Sequence, residues 1–204
     1  MPQPSHISAL GVPDPGTLDD DLKTIWAKCV EKLGFVPNVY ATYSKRPQRL
    51  RHFMAMYNEI MYAPSGLSKL EREMIAVVVS SANRCYYCLV AHGATVRQLS
   101  GDAELGEMMA LNYRVAKLDA RQRAMLDFTW KLTTTPNLVD DADRDALRGH
   151  GLSEEDIFDL AETTAFFNLS NRMASATDMM PNPEYHRADR GAPFVPPPAK
   201  PRKG

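Results

Sequence analysis

Apolar side chains recur at three- and four-residue intervals along almost the whole chain, and this period restricts the fold more than any other feature. Leu22, Ile25, Trp26, Cys29, Val30 and Leu33 form one stripe, with Gly34 placed to end its helix. After Pro47, Leu50, Phe53, Met54, Tyr57, Ile60 and Met61 form another, which "APSG" breaks. Helix starts are marked too. Thr17 with Asp20, Ser68 with Glu71, and Ser153 with Asp156 have the spacing of capping boxes. Further helices are expected over 105–111, over 120–134 before Pro136, over 141–148 before "GHG", and over 153–178. "FVPNVYATYS" reads as a connector. The one strand-like run, "MIAVVVSS", follows the Ser68 cap, which favours a buried helix. The expected class is all-α, with about eight helices in one domain over 1–180. A proline-rich tail over 181–204 is expected to be extended or disordered. Leu67, Arg72, Met74 and Ile75 recur in order and spacing as Leu118, Arg123, Met125 and Leu126, which suggests two similar halves.

At 204 residues a substantial core can form. The net charge of -1 gives no reason to expect nucleic acid or an anionic membrane as a partner. No apolar run approaches the roughly 20 residues of a membrane span. "MPQPSHISALGVPDPG" lacks the pattern of a secretory signal, so the chain reads as cytoplasmic. In that reducing compartment a close cysteine pair suits catalysis or metal binding better than a structural staple.

Such a pair stands in "RCYYCLVAH", residues 84–92. Cys85 and Cys88 are three apart, and His92 follows four later, so on a helix the three share a face. A tight turn near Asn83 would join this helix to the preceding one. Glu73 lies 10 residues before that turn and His92 lies 9 after it. At about 1.5 Å per residue, both sit roughly 14 Å from the turn in an antiparallel pair. Carboxylate, imidazole and thiol in series make a proton relay. A thiolate attacks a peroxide to give a sulfenic acid, and a second thiol condenses with it to a disulfide.

Other readings compete. Half of a zinc site would need two more ligands, and the third cysteine, Cys29, lies far off on an apolar stripe that marks it as core. Both thiols could be inert packing. Tyr86 and Tyr87 are expected to pack, although a phenol can donate a proton. His6, His52, His150 and His186 carry no assigned role.

The order and spacing of Glu73, Cys85, Cys88 and His92 resemble the signature of the AhpD-like alkylhydroperoxidases of the carboxymuconolactone decarboxylase superfamily. "LGFVPNVYATYSKRP", "LSKLEREMIAVVVSSANRCYYCLVAHG" and "FNLSNRMASATD" resemble its peroxidase-related branch, over most of residues 30–180. The resemblance implies an all-α fold of two similar halves, assembled as a homotrimer or trimer-based hexamer. It implies peroxide reduction through a reversible Cys85–Cys88 disulfide, with a dithiol reductant and neither cofactor nor metal. Cys88 would be the peroxidatic thiol and Cys85 the resolving one, with Glu73 and His92 as the relay. Tyr87 departs from the best-studied pattern, which has a histidine between the cysteines, and it cannot act as a base near neutral pH. The helix macrodipole, by contrast, favours ionisation of Cys85. The alternatives are a lyase using His92 and Glu73 alone, and a non-enzymatic redox-sensing module.

Overall fold

The computed structural model describes residues 3–191. They form ten α-helices and three short 3-10 turns, with no strand among the described residues. The helices are α1 (Asp20–Leu33), α2 (Asn38–Tyr43), α3 (Pro47–Tyr62), α4 (Lys69–Ala82), α5 (Tyr86–Ser100), α6 (Ala103–Asn112), α7 (Ala120–Thr134), α8 (Asp141–Gly149), α9 (Glu154–Ala176) and α10 (Pro183–Arg187). Two more helices form than the apolar period foretold, because α2 and α10 are too short to show one. No described helix is long and apolar enough to cross a membrane.

The strand-like run lies inside α4, the central helix. All ten residues from Glu71 to Ser80 are buried. A helix enclosed on every side needs no polar face, which is why the run has no period. Helices α5, α6, α7 and α9 pack around it. Met74, Ile75, Val77 and Val78 meet Met125, Leu126, Leu160 and Phe167 in the main core.

The internal echo has a physical basis. Ser68 and Asp119 both close capping boxes, at the starts of α4 and α7. From the next turn, Arg72 donates to the carbonyls of Ile60 and Ala63, and Arg123 donates to those of Arg114 and Ala116. Each arginine thus satisfies carbonyls at the end of the preceding segment. Ser153 closes its expected box with Asp156, but Thr17 does not cap α1. Asp19 does so, accepting from the Leu22 amide, while Thr17 belongs to a 3-10 turn.

Residues 181–191, grouped with the tail by their proline content, belong to the folded body. The Asn182 side chain accepts from the Asn38 amide and donates to the Val36 carbonyl. Asn38 in turn donates to the Met180 carbonyl. Buried Arg97 donates to the carbonyls of Tyr185 and Ala188. These side-chain bonds fix a segment whose own apolar content could not. The remainder of the expected tail, 192–204, lies outside the described residues.

Ile75 is fully buried at the centre of the core. Ile75→Ala is expected to lower the unfolding free energy by about 3 kcal/mol. Ser68→Ala, which breaks one cap, is expected to cost about 1 kcal/mol. Urea unfolding followed by circular dichroism checks both.

A candidate active site behind an aromatic cavity

The α4–α5 hairpin builds the site. Arg84 adopts a left-handed conformation, with φ 53°, and reverses the chain in two residues. The Cys85 amide then donates back to the Ser80 carbonyl. This fixes the level at which the two helices meet. Glu73 and His92 face each other as their distances from the turn require, with His92 Nδ1 2.7 Å from Glu73 Oε2. The carboxylate is buried and the imidazole nearly so. This geometry suits an Nδ1–H donor to the carboxylate, leaving a lone pair on Nε2. The ring also meets the edge of Phe167 at 4.7 Å between centroids.

The cysteines differ from the helical expectation. Cys85 is not in the helix. It is the N-cap of α5, with extended backbone, because the left-handed residue before it delays the first helical turn. Cys88 sits in that first turn, and the two thiols are free. The thiol and backbone N–H of Cys88 and the Ser175 hydroxyl stand near Cys85 Sγ and favour its ionised form. These donors outweigh burial and lower the Cys85 thiol to about 7. Its position at a helix N-terminus acts in the same direction. Cys88 moves the opposite way. By giving its hydrogen to Cys85 and lying fully buried, it is raised well above the usual thiol range, although Asn171 and Ser170 oppose this. The first ionisation belongs to the pair, with the charge resting on Cys85.

A cavity of about 890 Å³ opens beside the hairpin, lined by His92, Tyr40, Tyr57, Tyr87, Phe166 and Tyr185 among others. This volume is in the range of small-molecule sites. Cys29, expected in the core, is half-buried on this cavity's wall. Of the α1 stripe, Ile25, Cys29 and Leu33 line the cavity, Leu22 and Trp26 pack with Leu18 and Leu50, and Val30 is exposed. The sulfurs do not line the cavity. Cys85 is 2% exposed and Cys88 is 0%, packed with Tyr87, Ala91, Ala174 and Met179. Ser170 lines the cavity and also bonds Cys88, so one layer of side chains separates that sulfur from the open space.

Helix α9 therefore supplies Ser170, Asn171 and Ser175 to the site, none of which was singled out in the sequence. The available signal was their place in "FNLSNRMASATD": an adjacent polar pair and a third polar residue one turn later, on a helix with buried faces. Among the described residues, no group of three His, Cys, Asp or Glu stands where it could hold a metal ion.

Comparison with known proteins adds to this picture. The model of the carboxymuconolactone decarboxylase family matches residues 47–126. An uncharacterized peroxidase-related protein from Silicibacter sp. TM1040 is 56% identical, with a TM-score of 0.89 over 93% of this chain and 100% of its own. A second uncharacterized peroxidase-related protein, from Ralstonia eutropha JMP134 and described as an alkylhydroperoxidase AhpD core, is 44% identical, with a TM-score of 0.88 over 93% of this chain and 98% of its own. The debrominase Bmp8 shares the fold at 20% identity, with a TM-score of 0.73 over 90% of this chain and 96% of its own. No curated protein matches.

The charge on Cys85 gives a pH dependence. A thiol at about 7 in the fold and 9.0 in the open chain releases its proton earlier when folded. Its stabilising contribution is fully present above 9 and is lost as pH falls through about 7. Thiolate absorbance in the ultraviolet is expected to rise with a midpoint near pH 7. That step should vanish in Cys85→Ser and persist in Cys29→Ser.

Proposed function

Because this chain belongs to the carboxymuconolactone decarboxylase family, among its AhpD-like, peroxidase-related members, we propose that it is a thiol-dependent peroxidase. It reduces hydroperoxides through a reversible Cys85–Cys88 disulfide, and a dithiol reductant restores the pair. The observation that carries this reading is two free thiols packed together at the head of α5, beside a bonded Glu73–His92 pair. The setting is a reducing cytoplasm, and the assembly is a homotrimer or trimer-based hexamer. Exposed Phe158, Leu169 and Met173 on α9 give apolar surface for such contacts.

Cys88 is the attacking sulfur in this mechanism, because it adjoins Ser170 on the cavity side. Its proton crosses the hydrogen bond to Cys85, leaving the less acidic and more nucleophilic thiolate on Cys88. That thiolate attacks the terminal oxygen of the hydroperoxide. The S–O bond forms, the O–O bond breaks, and the alkoxide takes from His92 Nε2 the proton that ionisation of the thiol pair had placed there. Cys85 then loses its proton to His92 and attacks the Cys88 sulfenic acid. The disulfide forms and hydroxide leaves as water with that proton. Glu73 holds the imidazole through both transfers. The sum is two thiols and one hydroperoxide to one disulfide, one alcohol and one water. Since Cys88 is wholly buried, the wall at Ser170 must part before the oxygen can reach it.

One observation favours a second reading. His92 faces the cavity while the sulfurs stand behind its wall, so acid–base chemistry by Glu73 and His92 would need no thiol. Alkylating both cysteines separates the two. A peroxidase loses turnover, and a lyase keeps its rate.

With a dithiol reductant present, Cys88→Ser is expected to abolish steady-state peroxide consumption. In a single turnover, Cys85→Ser should still consume about one equivalent and leave a sulfenic acid on Cys88 that a carbon nucleophile traps. Mass spectrometry of the trapped peptide reads this. Unchanged consumption by Cys88→Ser would refute the thiol mechanism. A sulfenic acid trapped on Cys85 in Cys88→Ser would reverse the two roles.

A further inference from the structure

Tyr87 stands between the two cysteines, and its hydrogen-bond inventory is incomplete in an informative way. The side chain is 5% exposed. Its ring lies in the cluster with Cys85, Cys88, Ala91 and Met179, and it also forms part of the cavity wall. Its oxygen accepts the backbone N–H of Val39 at 3.2 Å. A phenol has one hydrogen of its own to give. Among the described residues, that hydrogen is donated to no acceptor. A buried O–H without an acceptor costs free energy, unless something enters the cavity to accept it. Tyr40 and Tyr185 also reach the cavity, but they are only partly buried, and among the described residues no backbone amide bonds their hydroxyls.

We propose that the Tyr87 hydroxyl is a catalytic donor that binds the oxygen of the hydroperoxide destined to leave as alkoxide. This rests on the peroxidase reading and extends it to the residue that departs from the family's histidine. The Val39 amide occupies one lone pair of the phenol oxygen and so fixes the O–H direction. Cys88 packs in the same cluster as the Tyr87 ring, directly behind the wall that Tyr87 helps to form. During attack the S–O bond forms and the O–O bond breaks. The departing oxygen gains negative charge, which the Tyr87 O–H stabilises and the proton from His92 discharges. Burial also drives the phenol well above its ordinary range, so it donates a hydrogen bond and keeps its proton. It therefore needs no counterpart to the base that a histidine would supply.

The test compares two electrophiles on the same thiols in the full-length reduced protein. Cumene hydroperoxide leaves an alkoxide and calls on the donor. Iodoacetamide leaves iodide and does not. Tyr87→Phe keeps the ring and removes the hydroxyl. It is expected to slow single-turnover consumption of cumene hydroperoxide by about a hundredfold, while alkylation by iodoacetamide changes less than about threefold. Tyr87→His, which restores a ring N–H, is expected to recover part of the peroxide rate. Losing the bond to Val39 could loosen the site, but that would slow or speed both reactions together. Equal changes in the two rates would therefore overturn the proposal, as would a peroxide rate in Tyr87→Phe equal to that of the parent. If the parent itself consumes no cumene hydroperoxide while its thiols still alkylate, the peroxidase reading fails first, and with it this role for Tyr87.

Discussion

The site depends on the reversal between α4 and α5. Two residues, Asn83 and Arg84, turn the chain, and the Cys85 amide locks onto the Ser80 carbonyl. This single bond sets how far each helix runs before its side chains face the other. A shift of one residue would rotate Glu73 or His92 by about 100° around its helix and break their 2.7 Å contact. The same bond holds Cys85 outside the helix, at the N-terminus of α5. Acid–base pair and thiol pair are thus consequences of one turn geometry.

The two thiols divide a task that one could not perform. A sulfur stabilised as thiolate is a weaker nucleophile, and a sulfur with a high proton affinity is seldom ionised. In the proposed mechanism, placing the two side by side lets the charge rest on Cys85 and react from Cys88. The donors from α9 hold this arrangement in place: Ser175 on one sulfur, Asn171 and Ser170 on the other. Asn171 also donates to Ser80 and accepts from Asn83, so the residue beside Cys88 is bonded to the turn that positions Cys85.

Much of this was legible in the chain. The apolar period located the long helices, and α7 begins and ends where the spacing and Pro136 put it. The meeting of Glu73 and His92 follows from equal distances to a turn, an argument that needs only helix rise. Three features were not legible, for separate reasons. Arginine has no special preference for left-handed backbone, so nothing marked Arg84 or the exclusion of Cys85 from the helix. The α9 donors lie more than 80 residues from the cysteines, and helical spacing does not say which neighbour a face will meet. Residues 181–191 carry no period because Asn38 and Arg97 hold them through backbone carbonyls and amides. Cys29 lay on a true apolar stripe, but a stripe facing a cavity and a stripe facing the core look alike in sequence.

The bonds between Asn38 and Asn182 join positions 144 residues apart, and Met179 and Tyr185 pack over the cysteine pair from the same late segment. A ribosome releases that segment about 90 residues after the cysteines. Until it emerges, the two sulfurs lack their cover, however complete the helices before it. Newly made chains therefore pass through an interval in which cellular oxidants meet bare thiols, and docking of the C-terminal segment ends that interval.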